Sequence, residues 1–393
     1  AYGIDLSMLK GKKMLNIDSD EEGVFLTSCA GGTAVKATIP VQRIPQHGIV
    51  LKLTVDGLSG GHSGAEIHKE HGNADILMGR FLDNLAKEVP FGMISLAGGL
   101  KDNAIPRECT ATIMIPMIIN EKNLEFAENA KEDNESCKST NENVNCNIEC
   151  TGNCSTCSSC DSNNKTAAIT VSDTDINKNL FYKKVIELTN QYSEMYKKEF
   201  FVSDKNVNVS CEVLGTQYAS ILDFSSLNRI LCYLRMVPNG VIHMSQAISG
   251  LVETSLNLGI MELKEHALIV ETSIRSSVST RKEDVKDRVI NVIELVGGEA
   301  EIIGNYPAWE YKAESKLREE IAVAYKNVYG TEPKFDAIHA GLECGILSEK
   351  IENLDCVSFG PKNLDIHTPK ERLSISSTER VWNFLIEYLK SAR

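Results

Sequence analysis

The sequence lacks a surplus of positive charge, a long apolar run and an amino-terminal leader. Its 393 residues carry 41 Lys and Arg against 54 Asp and Glu, a formal net charge of −13. That balance argues against a nucleic-acid partner, because nucleic acids require basic patches. The longest apolar run, near 113–119, contains Pro116 and is too short to cross a bilayer. No charged and then apolar leader opens the chain, so we expect a cytoplasmic protein without a membrane partner.

Two common catalytic signatures are also missing. The chain has no Gly-x-Ser-x-Gly turn for a serine nucleophile and no Gly-x4-Gly-Lys-Ser/Thr loop for a phosphate. Cysteine is unevenly distributed, since half of the 12 cysteines lie between Cys137 and Cys160. The others are scattered among apolar neighbours, where cysteine usually acts as a small buried side chain. A secreted disulfide scaffold is therefore not favoured.

Apolar periodicity predicts a mixed α/β protein. Alternation over 49–55 predicts a half-buried strand, and an apolar stripe over 74–89 predicts a helix with Asn73 as its N-cap. Met14 to Ile17 predicts a short buried strand that ends in carboxylates. Further helices are expected at 180–198, 220–235, 314–329 and 380–391, the last after a capping box Ser376-x-x-Glu379. Further strands are expected at 207–213, 250–263, 267–273, 334–338 and 356–359.

The composition changes along the chain and predicts a discontinuous organisation. The tract at about 125–173 is rich in Asn, Ser, Thr, Glu and Cys and has too few apolar residues to order itself. We expect one α/β domain formed by residues 1–30 and 298–393, with a large α+β domain, 31–297, inserted between them. The close cysteine spacing within the tract fits either an accessory thiolate metal site or an unstructured insert.

Two residues are candidate metal ligands. Asp18 follows a predicted strand, where a carboxylate can bind a divalent cation, and the alternative is a solvated acidic loop. His367 precedes Thr368-Pro369, and imidazole is a common zinc ligand, although a surface turn histidine has the same surroundings. The chain has no initiator Met and runs at once into a buried strand, so we expect a fragment that begins inside a domain.

Four further residues are candidates for binding or catalysis. His62 lies in the turn Gly60-Gly61-His62-Ser63-Gly64, where glycine lets the backbone approach a ligand and the ring can donate to a developing oxyanion. Asn103 and Arg275 end strands of the inserted domain, and Arg275 suits a bidentate grip on a carboxylate. Glu343 is a carboxylate flanked by glycines. Each of them, taken singly, can also be structural.

Several motifs, in order and spacing, resemble the aminoacyl-histidine dipeptidases, the peptidase D type that is also called cytosol nonspecific dipeptidase. They lie at 16–23, 29–32, 60–64, 99–108 and 339–345, and the resemblance covers nearly all of the chain except the cysteine tract. It implies a discontinuous zinc-peptidase-like catalytic domain, here partial, with an inserted lid that also forms a homodimer.

The resemblance also implies roles for the candidates. Asp18 and His367 would each bind one of two zinc ions, with other divalent metals as alternatives. His62 would polarise the scissile carbonyl in the active site of a partner subunit. Asn103 and Arg275 would hold the carboxylate of a dipeptide substrate, and Glu343 matches a position near the site.

The chain departs from the family pattern in its ligands. The family's His-x-Asp motif, bridging carboxylate and Glu-Glu pair would lie upstream of residue 1, and no substitute occurs in 1–17. We therefore expect a zinc-dependent dipeptidase for Xaa-His and other unblocked dipeptides, present here as an inactive fragment. The alternatives are a non-enzymatic lid dimer or metal-binding module, and a related amidohydrolase acting on N-acyl amino acids.

Overall fold

The computed structural model describes residues 3, 5–117, 176–366 and 368–391. The tract at 125–173, with its cysteines, and the candidate ligand His367 lie outside these residues. The α-helices of the described part are α1 (Ala74–Glu88), α2 (Leu180–Glu199), α3 (Phe224–Met236), α4 (Ser279–Leu295), α5 (Lys316–Tyr329), α6 (Glu343–Lys350) and α7 (Ile375–Ser391). None of them is long and apolar enough to cross a membrane.

The strands fall into two main sheets and two short pairs. In chain order they are β1 (Lys13–Asn16), β2 (Val24–Cys29), β3 (Gly31–Pro40), β4 (Arg43–Asp56), β5 (Gly61–His62), β6 (Gly92–Gly98), β7 (Ala104–Ile105), β8 (Cys109–Ile115), β9 (Asn208–Leu222), β10 (Gly240–Met244), β11 (Val252–Leu263), β12 (Ala267–Ser276), β13 (Glu299–Tyr306), β14 (Lys334–Ile338), β15 (Asp355–Ser358), β16 (Asn363–Leu364) and β17 (Arg372–Leu373).

The smaller sheet is assembled from both ends of the chain, in the order β1-β15-β2-β14. β1 runs parallel to β15 and β2 parallel to β14, so the carboxyl ends of β1 and β15 meet at the same edge. Phe25 on β2 packs its ring against Tyr325 of α5 and Phe384 of α7 at centroid distances of 5.4 and 5.3 Å. Each such pair contributes roughly 0.5–1.5 kcal/mol beyond burial. The expected discontinuous α/β fold is confirmed.

The larger sheet follows the order β13-β3-β12-β11-β6-β8-β4-β9, and β10 pairs with β11. Helices α1 to α4 contribute buried apolar side chains to one core shared with this sheet. The sheet extends past the expected boundary at residue 297, because β13 pairs with β3 from Glu299↔Thr38 to Tyr306↔Gly32. The 15-residue strand β9 closes the opposite edge and pairs with β4.

The chain passes between the sheets at two neighbouring crossings, one at 29–32 and one at 306–309. The N–H of Cys29 donates to the carbonyl of Trp309 at 3.0 Å, and the N–H of Trp309 donates back at 3.1 Å. A Cβ on Gly31 would lie 2.4 Å from the backbone nitrogen of Ala308. Only glycine at position 31 permits this approach of the two backbones. The close backbone pairing of the two crossings fixes how the sheets are joined.

Several boundaries follow the expectations and two differ. Asn73 caps α1 as expected, since its Oδ1 accepts from the N–H of Asp75 at 3.0 Å. The predicted capping box at Ser376 is wrong: α7 begins at Ile375, and Ser374 Oγ accepts from the N–H of Ser377 at 3.4 Å. Helix α3 begins at Phe224 rather than at 220, because β9 continues to Leu222.

The scattered cysteines are free thiols in the structure. Cys29, Cys109, Cys344 and Cys356 are buried, as expected for small apolar side chains, whereas Cys232 on α3 is exposed.

Asp75 is a fully buried carboxyl group in the first turn of α1. Neither of its oxygens has a hydrogen-bond partner among the described residues. Its Oδ1 lies against Gly98, where an added Cβ would come within 1.7 Å. Burial raises the pKa of Asp75 to about 8, and a contact with Cys109 opposes the shift. The group is therefore neutral in the folded chain at a pH where it is charged in the unfolded one.

Asp75→Asn should remove a pH-dependent loss of stability. Because the folded pKa is raised, the stability that Asp75 contributes is fully present below the ordinary pKa of 3.8 and is lost as the pH rises toward about 8. The slope is at most about 1.4 kcal/mol per pH unit. Denaturant unfolding between pH 4 and 8, followed by circular dichroism, should show this slope flattened in Asp75→Asn. Asp83→Asn, a half-exposed position on the same helix, should keep it. Parallel curves for wild type and Asp75→Asn would contradict the assignment.

Candidate active site

Four residues form a row across neighbouring strands of the larger sheet. Ser255 on β11 pairs with Arg275 on β12, Arg275 pairs with Gly32 on β3, and Gly32 pairs with Tyr306 on β13. The row begins beside the loop after β14 and ends at the second crossing. The strand register therefore carries Arg275, a predicted substrate-binding residue, to the junction of the two sheets.

The guanidinium of Arg275 is held by Tyr306, the residue at one end of this row. Its Nη1 donates to the hydroxyl of Tyr306 at 3.0 Å, reaching across Gly32. A Cβ on Gly32 would lie 2.4 Å from the Tyr306 ring, so a side chain at this position would displace the ring. The Arg275 side chain is 9% exposed, and its Nε has no hydrogen-bond partner among the described residues. A buried, partly unsatisfied guanidinium is suited to receive a carboxylate.

His339, at the end of β14, closes the opposite end of the row. The residue is buried, and its Nε2 lies 2.7 Å from Ser255 Oγ. Burial, and then the charge of Arg275, lowers the pKa of His339 to about 4, so the ring is neutral near pH 7. A Cβ on Gly341 would lie 2.8 Å from the Tyr306 ring. The loop after β14 thus contacts both ends of the row.

The turn that carries His62 determines which nitrogen of its imidazole ring carries the proton. The N–H groups of Gly64 and Ala65 donate to His62 Nδ1 at 3.1 and 3.0 Å. With Nδ1 accepting, the proton of the neutral ring lies on Nε2. Burial, and then the charge of Arg275, lowers the pKa of His62, while Glu66 opposes the shift. His62 therefore presents a neutral N–H donor, the form that can stabilise a developing oxyanion.

Glycine lets this turn reach the loop after β14. A Cβ on Gly64 would lie 2.8 Å from the carbonyl oxygen of His339. Gly61 has a φ of +136°, which other residues rarely adopt. The predicted catalytic residue His62 and the row that holds Arg275 are consequently neighbours within one chain.

Asn103 joins the same region through its backbone. The N–H of Ser63 donates to the carbonyl of Asn103 at 2.9 Å. The buried Asn257 on β11 donates from Nδ2 to the carbonyls of Asp102 at 3.0 Å and Ala104 at 2.9 Å. Asn257 and Ser255 are two residues apart and share a face of β11. One strand thereby supports both the turn of Asn103 and the row of Arg275.

The remaining candidates are placed near this junction. Glu343 is exposed at the start of α6, and its substrate-binding role stays a prediction. Asp18 is exposed on the loop that follows β1. That loop packs against the end of β15, where Ser19 Oγ lies 2.9 Å from Ser358 Oγ. The N–H of Asn363 donates to the carbonyl of Asp20 at 3.0 Å, which brings the segment before residue 367 beside the Asp18 loop.

The described residues do not complete a metal site. Over 5–117, 176–366 and 368–391 there is no group of three or more His, Cys, Asp or Glu side chains arranged to hold a metal ion. Asp18 supplies one hard oxygen ligand, which alone binds a divalent cation weakly. The expected roles of Asp18 and His367 therefore remain predictions.

Sequence reasoning missed the supporting residues Ser255, Asn257, His339 and Tyr306. A signal for two of them exists, because Ser255 and Asn257 are polar residues inside a predicted strand that is buried along most of its length. His339 lies in the motif from which only Glu343 was selected. Tyr306 had no sequence signal, since its contacts depend on the pairing of β13 with β3.

Comparison with known proteins identifies related chains. The profile described as "Peptidase dimerisation domain" matches residues 53–136. The cytosol non-specific dipeptidase of Escherichia coli (strain K12) is 30% identical over 392 residues, which cover 99% of this chain and 68% of the relative. The crystal structure of aminoacylhistidine dipeptidase from Vibrio alginolyticus superposes with a TM-score of 0.78 at 31% identity, covering 99% of this chain and 67% of that chain.

Neutralising Arg275 should raise the pKa of His62 and of His339, because its positive charge disfavours both imidazolium forms. The measurement is an NMR titration of the imidazole resonances in wild type and Arg275→Met. Arg281→Met, which removes an arginine paired with Glu253, is the matched control and should leave both pKa values in place. If Arg275→Met also left them in place, the charge of Arg275 would not be the cause.

Proposed function

Because this chain belongs to the family of the cytosol non-specific dipeptidases, we propose that it acts as a zinc-dependent dipeptidase on Xaa-His and other unblocked dipeptides. The family consists of metallopeptidases, so the reaction class is hydrolysis. The observation that carries the proposal is identity of 30% over 99% of the chain, together with a histidine donor beside a buried arginine. The proposed setting is the cytoplasm, as the name of the relative indicates for that protein.

The geometry of the described residues supports the proposed roles. Arg275 binds the terminal carboxylate of the dipeptide, with Nη1 already held by Tyr306. Asn103, on the turn bonded to the His62 turn, contributes to the same carboxylate site. His62 donates its Nε2 proton to the carbonyl oxygen of the scissile bond, where charge develops. Glu343 lines the approach to this site.

The proposed cofactor is zinc, two ions per complete site, with other divalent metals as alternatives. Asp18 and His367 are the proposed ligands that this chain contributes. Such a pair supplies a Lewis acid and a water that is deprotonated near neutral pH. The described residues bring no three ligands together, so we propose that residues 1–393 by themselves hydrolyse little.

We propose a homodimer formed by the larger sheet. The match to a peptidase dimerisation domain supports this, and β9 is a 15-residue strand at the edge of the larger sheet that the described residues form. Exposed apolar side chains lie along it, with Leu214 39% and Tyr218 80% exposed. Association through β9 would place the sheets of the two copies side by side. In this proposed dimer, His62 polarises the scissile carbonyl in the active site of the partner subunit.

A lid dimer without catalysis is the second candidate function. The specific observation in its favour is that no group of three potential metal ligands occurs in the described part of the chain. Such a dimer would retain the carboxylate-binding residues and bind dipeptides without cleaving them.

Zinc-loaded residues 1–393 should show no turnover of β-alanyl-histidine above a metal-free control. Zinc content after dialysis should be well below two ions per chain once the cysteines of 137–160 are replaced by serine, since that tract is an alternative thiolate site. Released histidine and bound zinc are the two measurements. Zinc-dependent turnover that disappears in His62→Ala would overturn the proposed inactivity and leave the dipeptidase assignment stronger.

Placing Lys on β9 should dissociate the homodimer, because a charged edge strand resists pairing with another strand. The variant is Leu214→Lys with Tyr218→Lys, and sedimentation velocity measures the mass. Ile302→Lys, at a 50% exposed position on the opposite edge strand β13, is the matched control and should remain dimeric. A dimer that survives the β9 variant but not the control would place the interface on the other edge.

A further inference from the structure

Tyr306 occupies the point where the larger sheet passes into the second crossing. It is the last residue of β13 and is followed by Pro307. Its ring fills the space above Gly32 on the first crossing and lies against Gly341 of the loop after β14. Its hydroxyl oxygen accepts a hydrogen bond from Nη1 of Arg275, at a distance of 3.0 Å between the two atoms. One side chain thus touches both crossings, the smaller sheet's loop and the arginine.

Arg275 needs such a support to select a carboxylate. A guanidinium has a long flexible stem, and ordering it costs free energy each time a ligand binds unless other contacts hold it beforehand. A bidentate grip requires two N–H groups in one plane with the carboxylate. With Nη1 fixed by Tyr306, the edge formed by Nε and Nη2 is the one left for a ligand, and Nε has no partner among the described residues.

Two glycines leave the space that the Tyr306 ring occupies. A side chain on Gly32 would meet the Tyr306 ring 2.4 Å from its Cβ, at the Cζ and hydroxyl end. A side chain on Gly341 would meet the same ring at 2.8 Å. Substitution at either glycine would move the hydroxyl away from Arg275 without touching the arginine itself.

We propose that Tyr306 is a positioning residue that orients Arg275 for the free carboxylate of the substrate and so sets the selectivity for unblocked dipeptides. The inference rests on the proposed function of Arg275. It adds that selectivity depends on a hydroxyl at the crossing between the sheets. It also makes Gly32 a specificity determinant, since only glycine leaves the ring in place.

The test is a comparison of two probes on metal-free residues 1–393, so that turnover does not enter. The probes are β-alanyl-histidine and its C-terminal amide, and ligand-observed NMR gives a dissociation constant for each. Wild type should bind the acid about tenfold more tightly than the amide. Tyr306→Phe, which keeps the ring, should lower that ratio to about threefold or less. Gly32→Ala should do the same although the hydroxyl is present.

Two further variants separate the possible failures. Tyr311→Phe removes the hydroxyl of a tyrosine that stacks with Arg318 at 5.1 Å, and it should keep the wild-type ratio. If Arg275→Lys loses the preference while Tyr306→Phe keeps it, this inference is overturned and the proposed function stands. If wild type shows no preference for the acid, the proposed function fails and this inference fails with it. Thermal unfolding of each variant identifies any variant that has not folded. If Gly32→Ala does not fold, the result for Tyr306→Phe alone tests the inference.

Discussion

The close pairing of the two interdomain crossings is the constraint on which the rest of this structure depends. At 29–32 and 306–309 the backbones approach so closely that a Cβ on Gly31 would lie 2.4 Å from a backbone nitrogen. Reciprocal hydrogen bonds between Cys29 and Trp309 lock the register at this point. That register carries on into β3 and β13, and through them to β12 and β11. The positions of Arg275 and Ser255 at the junction follow from it.

Burial and the charge of Arg275 together determine the protonation of the two histidines that lie near it at the junction of the sheets. Arg275 is a largely buried cation, and burial together with its charge keeps His62 and His339 in their neutral forms. A neutral histidine has one donor and one acceptor, so its neighbours decide which nitrogen carries the proton. For His62 the two backbone donors at Nδ1 make that decision. The site therefore combines one fixed cation with a directed neutral donor, an arrangement suited to an anionic ligand with a polarised carbonyl.

Local sequence patterns predicted many individual helices and strands, whereas the pairings between distant strands could not be predicted from them. Helix α1 and its cap Asn73 followed from an apolar stripe and a capping residue, both of which are local. Strands β2 and β3 and helix α4 were not anticipated. Strand β13 fell outside the expected lid boundary, because its place in the larger sheet is defined by pairing with β3, far away in the sequence. His62, Asn103 and Arg275 could be proposed from motifs, whereas Tyr306 could not, because its contacts depend on the pairing of β13 with β3. His367 lies outside the described residues, so the expected convergence with Asp18 rests on neighbouring segments.

The adjacency of the two crossings has a consequence for how the molecule can be taken apart. The chain enters the larger sheet next to Cys29 and leaves it next to Trp309, and the backbones of these two residues are hydrogen-bonded to each other. Its two severed ends would therefore lie side by side, and a turn of about two to four residues would bridge the gap left in the smaller sheet. The inserted part of the chain therefore begins and ends at neighbouring points, where it can be removed or grafted onto another protein, and its adjacent ends are equally suited to circular permutation.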